Sequence, residues 1–167
     1  MVLIRHRVTS QPLLELEEES LEYVTLPNVN LSQADLSGMS LEGADLRQAN
    51  LSESLLDYCN LSFSDLTFAC LSKASLQHAD MNTAELSFCD LTRANLRGAN
   101  LNGADLFGAN LNHADLSEAN LCGADLDQAV LDDANLQYAV YDKETRPPSH
   151  VSLKNRGAIL IDKSSKD

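Results

Sequence analysis

Aromatic residues are scarce in this chain: Phe, Tyr and Trp make up 5% of its 167 residues, and Trp is missing altogether. A core built on large rings is excluded, so Leu and Ala, within a hydrophobic share of 44%, must fill the interior. Bases are scarce as well. Twelve Lys and Arg stand against 25 Asp and Glu, a net charge of −13. Such a chain repels nucleic-acid phosphates and anionic membrane surfaces, so neither is expected as a direct partner, and a charged partner should be basic. No apolar run reaches the roughly 18 residues that a membrane-spanning helix needs. At the start, Arg5, His6 and Arg7 interrupt the only short apolar stretch. A secretory signal would continue it, so an intracellular, cytoplasmic protein is expected. The four Cys, at 59, 70, 89 and 122, have no metal-ligand spacing and read as reduced thiols.

What the sequence does contain is a period of five. With Leu taken as the centre, 24 repeats run from Leu26 to Tyr141 without insertion or deletion; 22 centres are Leu, and Met81 and Tyr141 are the exceptions. Two residues before the centre, Ala occurs 17 times, and the rest are small or apolar, Ser54, Cys59, Ser64 and Cys89 among them. One residue before the centre, Asp, Asn or Glu occurs 17 times. In an α-helix a five-residue step rotates a side chain by about 140°, so the Leu would make no stripe. In a straight strand an odd step sends successive Leu to opposite faces. The period works only if the chain turns a corner in every repeat, which keeps Leu and Ala inside a solenoid of stacked turns.

The run Ala-(Asp/Asn)-Leu-x-x over residues 24–143 resembles the pentapeptide-repeat family. That resemblance implies an all-β fold, a right-handed quadrilateral β-helix with four repeats per coil, and hence about six coils. Phe68 and Phe88 are four repeats apart, as are Gly103 and Gly123, a faint echo of that coil length.

A solenoid needs caps, because its ends expose core and unpaired strand edges. Residues 1–23 are expected to form a partly helical N-terminal cap. Ser10 would N-cap a short helix, and Glu15, Glu17, Glu18, Glu19 and Glu22 would form its solvated face. Residues 144–167 read as a C-terminal cap and tail. Tyr141-Asp142, Thr145 and Pro148 resemble a tail found in cyanobacterial members of the family, where it closes the last coil. Ser149 would start a short helix ending near Gly157. Val151, Leu153, Ile159, Leu160 and Ile161 would cover the core or form a dimer contact, and some family members dimerise through this end. Monomer and dimer both stay open.

No catalytic constellation is present. His6, His78, His113 and His150 are scattered, and the Gly pairs belong to the repeat rather than to a phosphate loop. Neither a metal nor a cofactor is expected, nor enzymatic activity. Charge is more informative. Residues 1–25 carry two bases against five acids, residues 26–142 four against 17, and residues 143–167 six against three. The rod thus carries a charge equal to the whole of the net −13. With four repeats per coil, one face aligns Asp45, Asp65, Glu85, Asp105 and Asp125. Beside it lie outward Phe68 and Phe88, with Phe107 on the next coil and Phe63 at the preceding corner. Asp and Asn suit a corner because they bond nearby backbone, and stacked rings support one another. Neither argument favours Asp over Asn along one face. The column and its three Phe are therefore the candidate partner-binding face.

Two functions follow. The first is a non-enzymatic, rigid, acidic protein-interaction module for a basic or amphipathic partner, with regulation as one use of it. The second rests on the resemblance alone: some family members mimic duplex DNA and bind type II topoisomerase (gyrase). The six-coil length and the concentration of acids on one column argue against the second.

Overall fold

A computed structural model describes residues 1–162. Residues 163–167, the end of the expected C-terminal tail, lie outside them. The repeat around Leu66 explains the shape through its five backbone N–H groups. Leu66 donates to Glu85 O on the next coil at 2.8 Å, and Phe68 to Ser87 O at 3.0 Å. Cys70 donates back to Ala49 O on the previous coil at 2.9 Å, and Ala69 closes the turn to Leu66 O at 2.8 Å. The fifth donor, Thr67 N–H, has only a side-chain acceptor, Asp65 Oδ1 at 3.0 Å. That is why the residue before the central position is so often Asp or Asn: it satisfies the one amide that the ladders leave over.

The ladders fix the coil length. Parallel bridges link Thr25 to Asp45, Asn30 to Asn50, Asp35 to Leu55 and Ser40 to Asn60, and each column continues in steps of four repeats. Four bridged positions per coil make a four-sided, all-β solenoid. The central Leu side chains and the Ala two before them are almost wholly buried in one continuous core. Ser54 and Ser64 stand in Ala positions and donate to Leu51 O and Leu61 O, both at 2.6 Å. Cys59 and Cys89 also stand in Ala positions and donate to Leu36 O and Leu66 O. Desolvation pushes both thiols up to about 12, so they are packing groups rather than nucleophiles. Cys122, in the first turn position after Leu121, is also buried, at 1% exposure.

Each corner places its second turn residue at positive φ, from Asn28 at 61° to Tyr138 at 63°. Most of these residues are not Gly. Thr83, β-branched at φ 53°, is the least suited to that conformation. Thr83→Gly is expected to stabilise the protein by about 1 kcal/mol, read as a higher urea midpoint at unchanged slope. A lower midpoint would show that the bond from Thr83 Oγ1 to Asn82 O at 2.7 Å outweighs the strain.

The ends depart from the expected helical caps. Residues 1–16 form a β-hairpin, β1 (Val2–His6) and β2 (Pro12–Leu16), and β1 pairs antiparallel with β3 (Ala34–Asp35) of the first full coil. Ser10 is no N-cap: it sits in the hairpin turn at φ 57° and donates to His6 O at 2.9 Å. The physical reason is a period of two: Val2 and Ile4, and Leu14 and Leu16, face the core, while Glu15 and Glu17 face solvent. Leu21 already behaves as a repeat centre, 3% exposed, with Tyr23 at positive φ beside it.

At the other end β4 (Val140–Tyr141) pairs parallel with β5 (Ile159–Leu160). No helix begins at Ser149; a single 3-10 turn, Lys154–Arg156, ends at Gly157 with φ 90°. Leu153 is buried and covers the core, whereas Ile159 and Leu160 are exposed. The last bridge joins Asp125 to Arg146, one position further along than the regular step would reach. The extra residue is taken up by Asp142 and Thr145, both buried: Thr145 Oγ1 donates to Leu121 O at 2.9 Å and Asp142 Oδ1 accepts from Gly123 N at 2.9 Å. Among the described residues no helix is long and apolar enough to cross a membrane.

Candidate functional site

The bridges Thr25–Asp45–Asp65–Glu85–Asp105–Asp125 run down one face without a break, so the five carboxylates stand in a single column. Four of them also hold their own turn. Asp45, Asp65, Asp105 and Asp125 each accept the N–H two residues on through Oδ1, at 3.2, 3.0, 2.9 and 3.0 Å. Glu85 makes no such bond among the described residues. Its longer side chain is exposed, and nothing in the turn requires it.

The column is closed at both ends by the protein's own cations. Arg47 Nη2 lies 2.7 Å from Asp45 Oδ2, and its Nε lies 3.6 Å from Asp65 Oδ2. Arg146 pairs with Asp125 and, at 3.9 Å, with Asp127. Glu85 and Asp105, in the middle, have no cation within ion-pairing distance among the described residues. Stacked carboxylates one coil apart repel by on the order of 1 kcal/mol per pair in water. Another face avoids this with amides: Asn120 Nδ2 donates to Asn100 Oδ1 at 3.1 Å, and Asn100 Nδ2 to Asp80 Oδ1 at 2.9 Å. Glu85→Asn should therefore stabilise the protein, by about 1 kcal/mol, through the turn bond it restores and the repulsion it removes. A calorimetric melting temperature at or below wild type would contradict this.

Arg47 acts on Asp45 most directly. Its side-chain hydrogen bond holds the carboxyl below the ordinary carboxylate value, against a smaller desolvation effect. A depressed value means that the pair stabilises the fold at neutral pH and that this contribution is lost as pH falls through the lowered value. Arg47→Gln is expected to flatten the acid limb of the stability profile.

Along the edge of the acidic face, Phe68 and Phe88 stack at 5.1 Å between ring centres and 9° between planes, and Phe107 meets Phe88 edge-on at 5.5 Å. Phe68 and Phe88 remain 59% and 48% exposed. Gly108 seats the ladder: a Cβ there would lie 2.8 Å from the Phe88 ring. Phe63 stands on the opposite edge of the same face, 61% exposed, and makes no ring contact with the ladder among the described residues. Stacking alone does not mark a site, because Tyr58 and His78 stack at 5.2 Å on another corner. The Phe ladder differs in lying beside unpaired carboxylates. Among the described residues no group of three or more His, Cys, Asp or Glu is placed to hold a metal.

The geometry defines a repeat protein that displays side-chain columns on a four-sided rod. The chain belongs to the pentapeptide-repeat family: the family model, Pentapeptide repeats, matches in eight copies over residues 20–52, 44–82, 84–121 and 109–140. Its first match includes the Leu21 repeat. Among solved structures it is similar to HetL, a pentapeptide repeat protein involved in heterocyst differentiation regulation from the cyanobacterium Nostoc sp. strain PCC 7120. The two are 33% identical over 74% of this chain, with a TM-score of 0.49, and the match spans 59% of HetL. Rfr23, from the cyanobacterium Cyanothece 51142, is 29% identical over 77% of this chain and 87% of its own, with a TM-score of 0.54. QnrB1, a plasmid-mediated fluoroquinolone resistance protein, is 18% identical over 89% of this chain and 87% of its own, with a TM-score of 0.35. No protein of curated function matches the chain.

Proposed function

We propose that this protein is a non-enzymatic interaction module. Its partner-binding face is the carboxylate column Asp45, Asp65, Glu85, Asp105 and Asp125, together with Phe68, Phe88 and Phe107. The partner is a protein carrying a basic or amphipathic segment. Glu85 carries this reading: it is exposed and, among the described residues, makes neither an ion pair nor the turn bond that the Asp residues of its column make. Residues that break a local rule without structural gain tend to mark function. The ladder adjoining it offers apolar area to the same segment. Regulation through such contact is in keeping with HetL's involvement in heterocyst differentiation regulation. A duplex-mimicking role towards type II topoisomerase is less well supported, since Arg47 and Arg146 end the charge run at both ends of the column.

The test is a comparison of proteins captured from the native host by wild type, by Glu85→Gln and by Phe68→Asn/Phe88→Asn. Asn28 occupies the same turn position natively at φ 61°, so the double variant keeps the backbone. The face is supported if the variants lose a protein that wild type retains and that binds purified wild type with strong salt dependence. Identical partner profiles for all three proteins would remove this face from the argument.

A further inference from the structure

A second column sets two of the rod's four Lys and Arg residues on adjacent coils. At the corner beyond the Asn50–Asn110 face, successive coils present Gln33, Glu53, Lys73, Arg93, His113 and Asp133, all at positive φ. Lys73, Arg93 and His113 are thus neighbours along one edge, about 4.8 Å apart in the direction of the coil stack. The upper and lower members have partners: Lys73 Nζ is 3.6 Å from Glu53 Oε1, and His113 Nδ1 is 3.6 Å from Asp133 Oδ2. Arg93 has none among the described residues. The other three cations between residues 24 and 142, Arg47, Lys73 and Arg97, are all paired with carboxylates. A guanidinium left without a carboxylate in a chain with 25 acids is the less expected outcome.

These three side chains line a shallow basin of about 390 Å³, together with Thr92, Asn112 and Asp90. Asp90 is occupied in its own turn, where Oδ1 accepts from both Thr92 N and Thr92 Oγ1. Asn112 Oδ1 is buried without a donor among the described residues; as an acceptor it can be satisfied only by a ligand that keeps an O–H, as the singly protonated form of a phosphomonoester does. A fork-shaped guanidinium and a point-charge ammonium from adjacent coils, with an imidazole below, present donors from three coils, and a phosphomonoester, with three acceptor oxygens and close to two charges, can engage more of them at once than a carboxylate with two oxygens and one charge.

We propose that the basin bounded by Lys73, Arg93 and His113 is a binding site for a phosphomonoester. The ester is either a free small molecule or a phosphorylated side chain of a protein. The site lies at a different corner from the Phe ladder and stands or falls independently of the acidic face.

The experiment is an amide NMR titration of the full chain with inorganic phosphate, with glycerol phosphate and with a phosphoserine peptide. Acetate and sodium chloride at matched ionic strength are the controls. The expected result is saturable shifts centred on Lys73, Thr92, Arg93, Asn112 and His113 with the phosphates, and only linear drift with the controls. Arg93→Gln and, separately, Lys73→Gln should each weaken phosphate binding roughly tenfold, the loss of one charge-assisted donor. Gln is native at this turn position at Gln33, Gln48 and Gln128, and an unchanged melting curve verifies the fold. Tighter binding of the peptide than of glycerol phosphate would assign the site to a partner protein; equal affinities would assign it to a small ester. Shifts that fail to saturate, that appear equally with acetate, or that persist at full affinity in Arg93→Gln would overturn the site.

Discussion

A variant lacking residues 77–96 should fold as a shorter rod, while a variant lacking Gly98 alone should lose most of its stability. The long deletion removes one whole coil and joins Leu76 to Arg97, so every column resumes in register: Ser75 would bridge Asp115 in place of Asn95. Each coil touches only its neighbours, so the loss is confined to one coil's contribution. Loss of Gly98 leaves a single residue to turn the corner. The turn bond from Ala99 N to Leu96 O at 3.0 Å cannot form, and Ala99 and Leu101, both fully buried, must leave the core or drag the following coils out of register. A cost of about 5 kcal/mol or more is expected, comparable to the whole stability of many domains. The rod does tolerate one additional residue before Arg146, but only because Asp142 and Thr145 bind it down; no such pair flanks Gly98. Urea unfolding decides the matter. The coil deletion should keep a cooperative transition with a reduced slope. A near-native midpoint for the Gly98 deletion would refute the corner argument.

The next largest effect is expected at Ile4. It is the only residue of the hairpin that is wholly buried, at 0% exposure. Ile4→Ala should cost about 2–5 kcal/mol, and the loss falls on the contact that holds the hairpin to the first coil. The antiparallel pairing of Arg5 with Asp35 and of His6 with Ala34 would then open locally, leaving strand edges free to pair with another molecule. Two readouts follow: faster hydrogen exchange at Arg7, whose amide donates to Gln33 O at 2.8 Å, and concentration-dependent association in sedimentation. Ile4→Val, with one methylene fewer, should show little of either. If Ile4→Ala exchanges like wild type, the hairpin is held elsewhere.

The β-helix is legible in the sequence because its cause is periodic: a corner in every repeat leaves a mark in every repeat. The caps are made by single, non-local contacts. Val2 and Ile4 alternate over too short a stretch to outweigh five Glu that suggest a helix, and β1 finds its coil partner far along the chain, at Ala34 and Asp35. The carboxylate column follows from the coil length, as do the neighbouring Phe. Arg47, two positions from Asp45, is a visible partner that composition alone does not single out. Arg146 is not visible, since the lengthened step that brings it to Asp125 depends on how Asp142 and Thr145 are buried. In sequence Glu85 resembles any other acid; what sets it apart is that its turn lacks the bond that the Asp residues make.

The bond from one side-chain oxygen to the amide two residues on is the same for Asp65 and for Asn50. The backbone is indifferent to what the other end of that group carries. Exchanging one for the other alters the field of a face by a full charge and leaves the turn unchanged. The rod is in that sense a writing surface with a two-letter alphabet. Proteins with one and the same scaffold can differ in everything an approaching partner senses, and can acquire those differences one letter at a time.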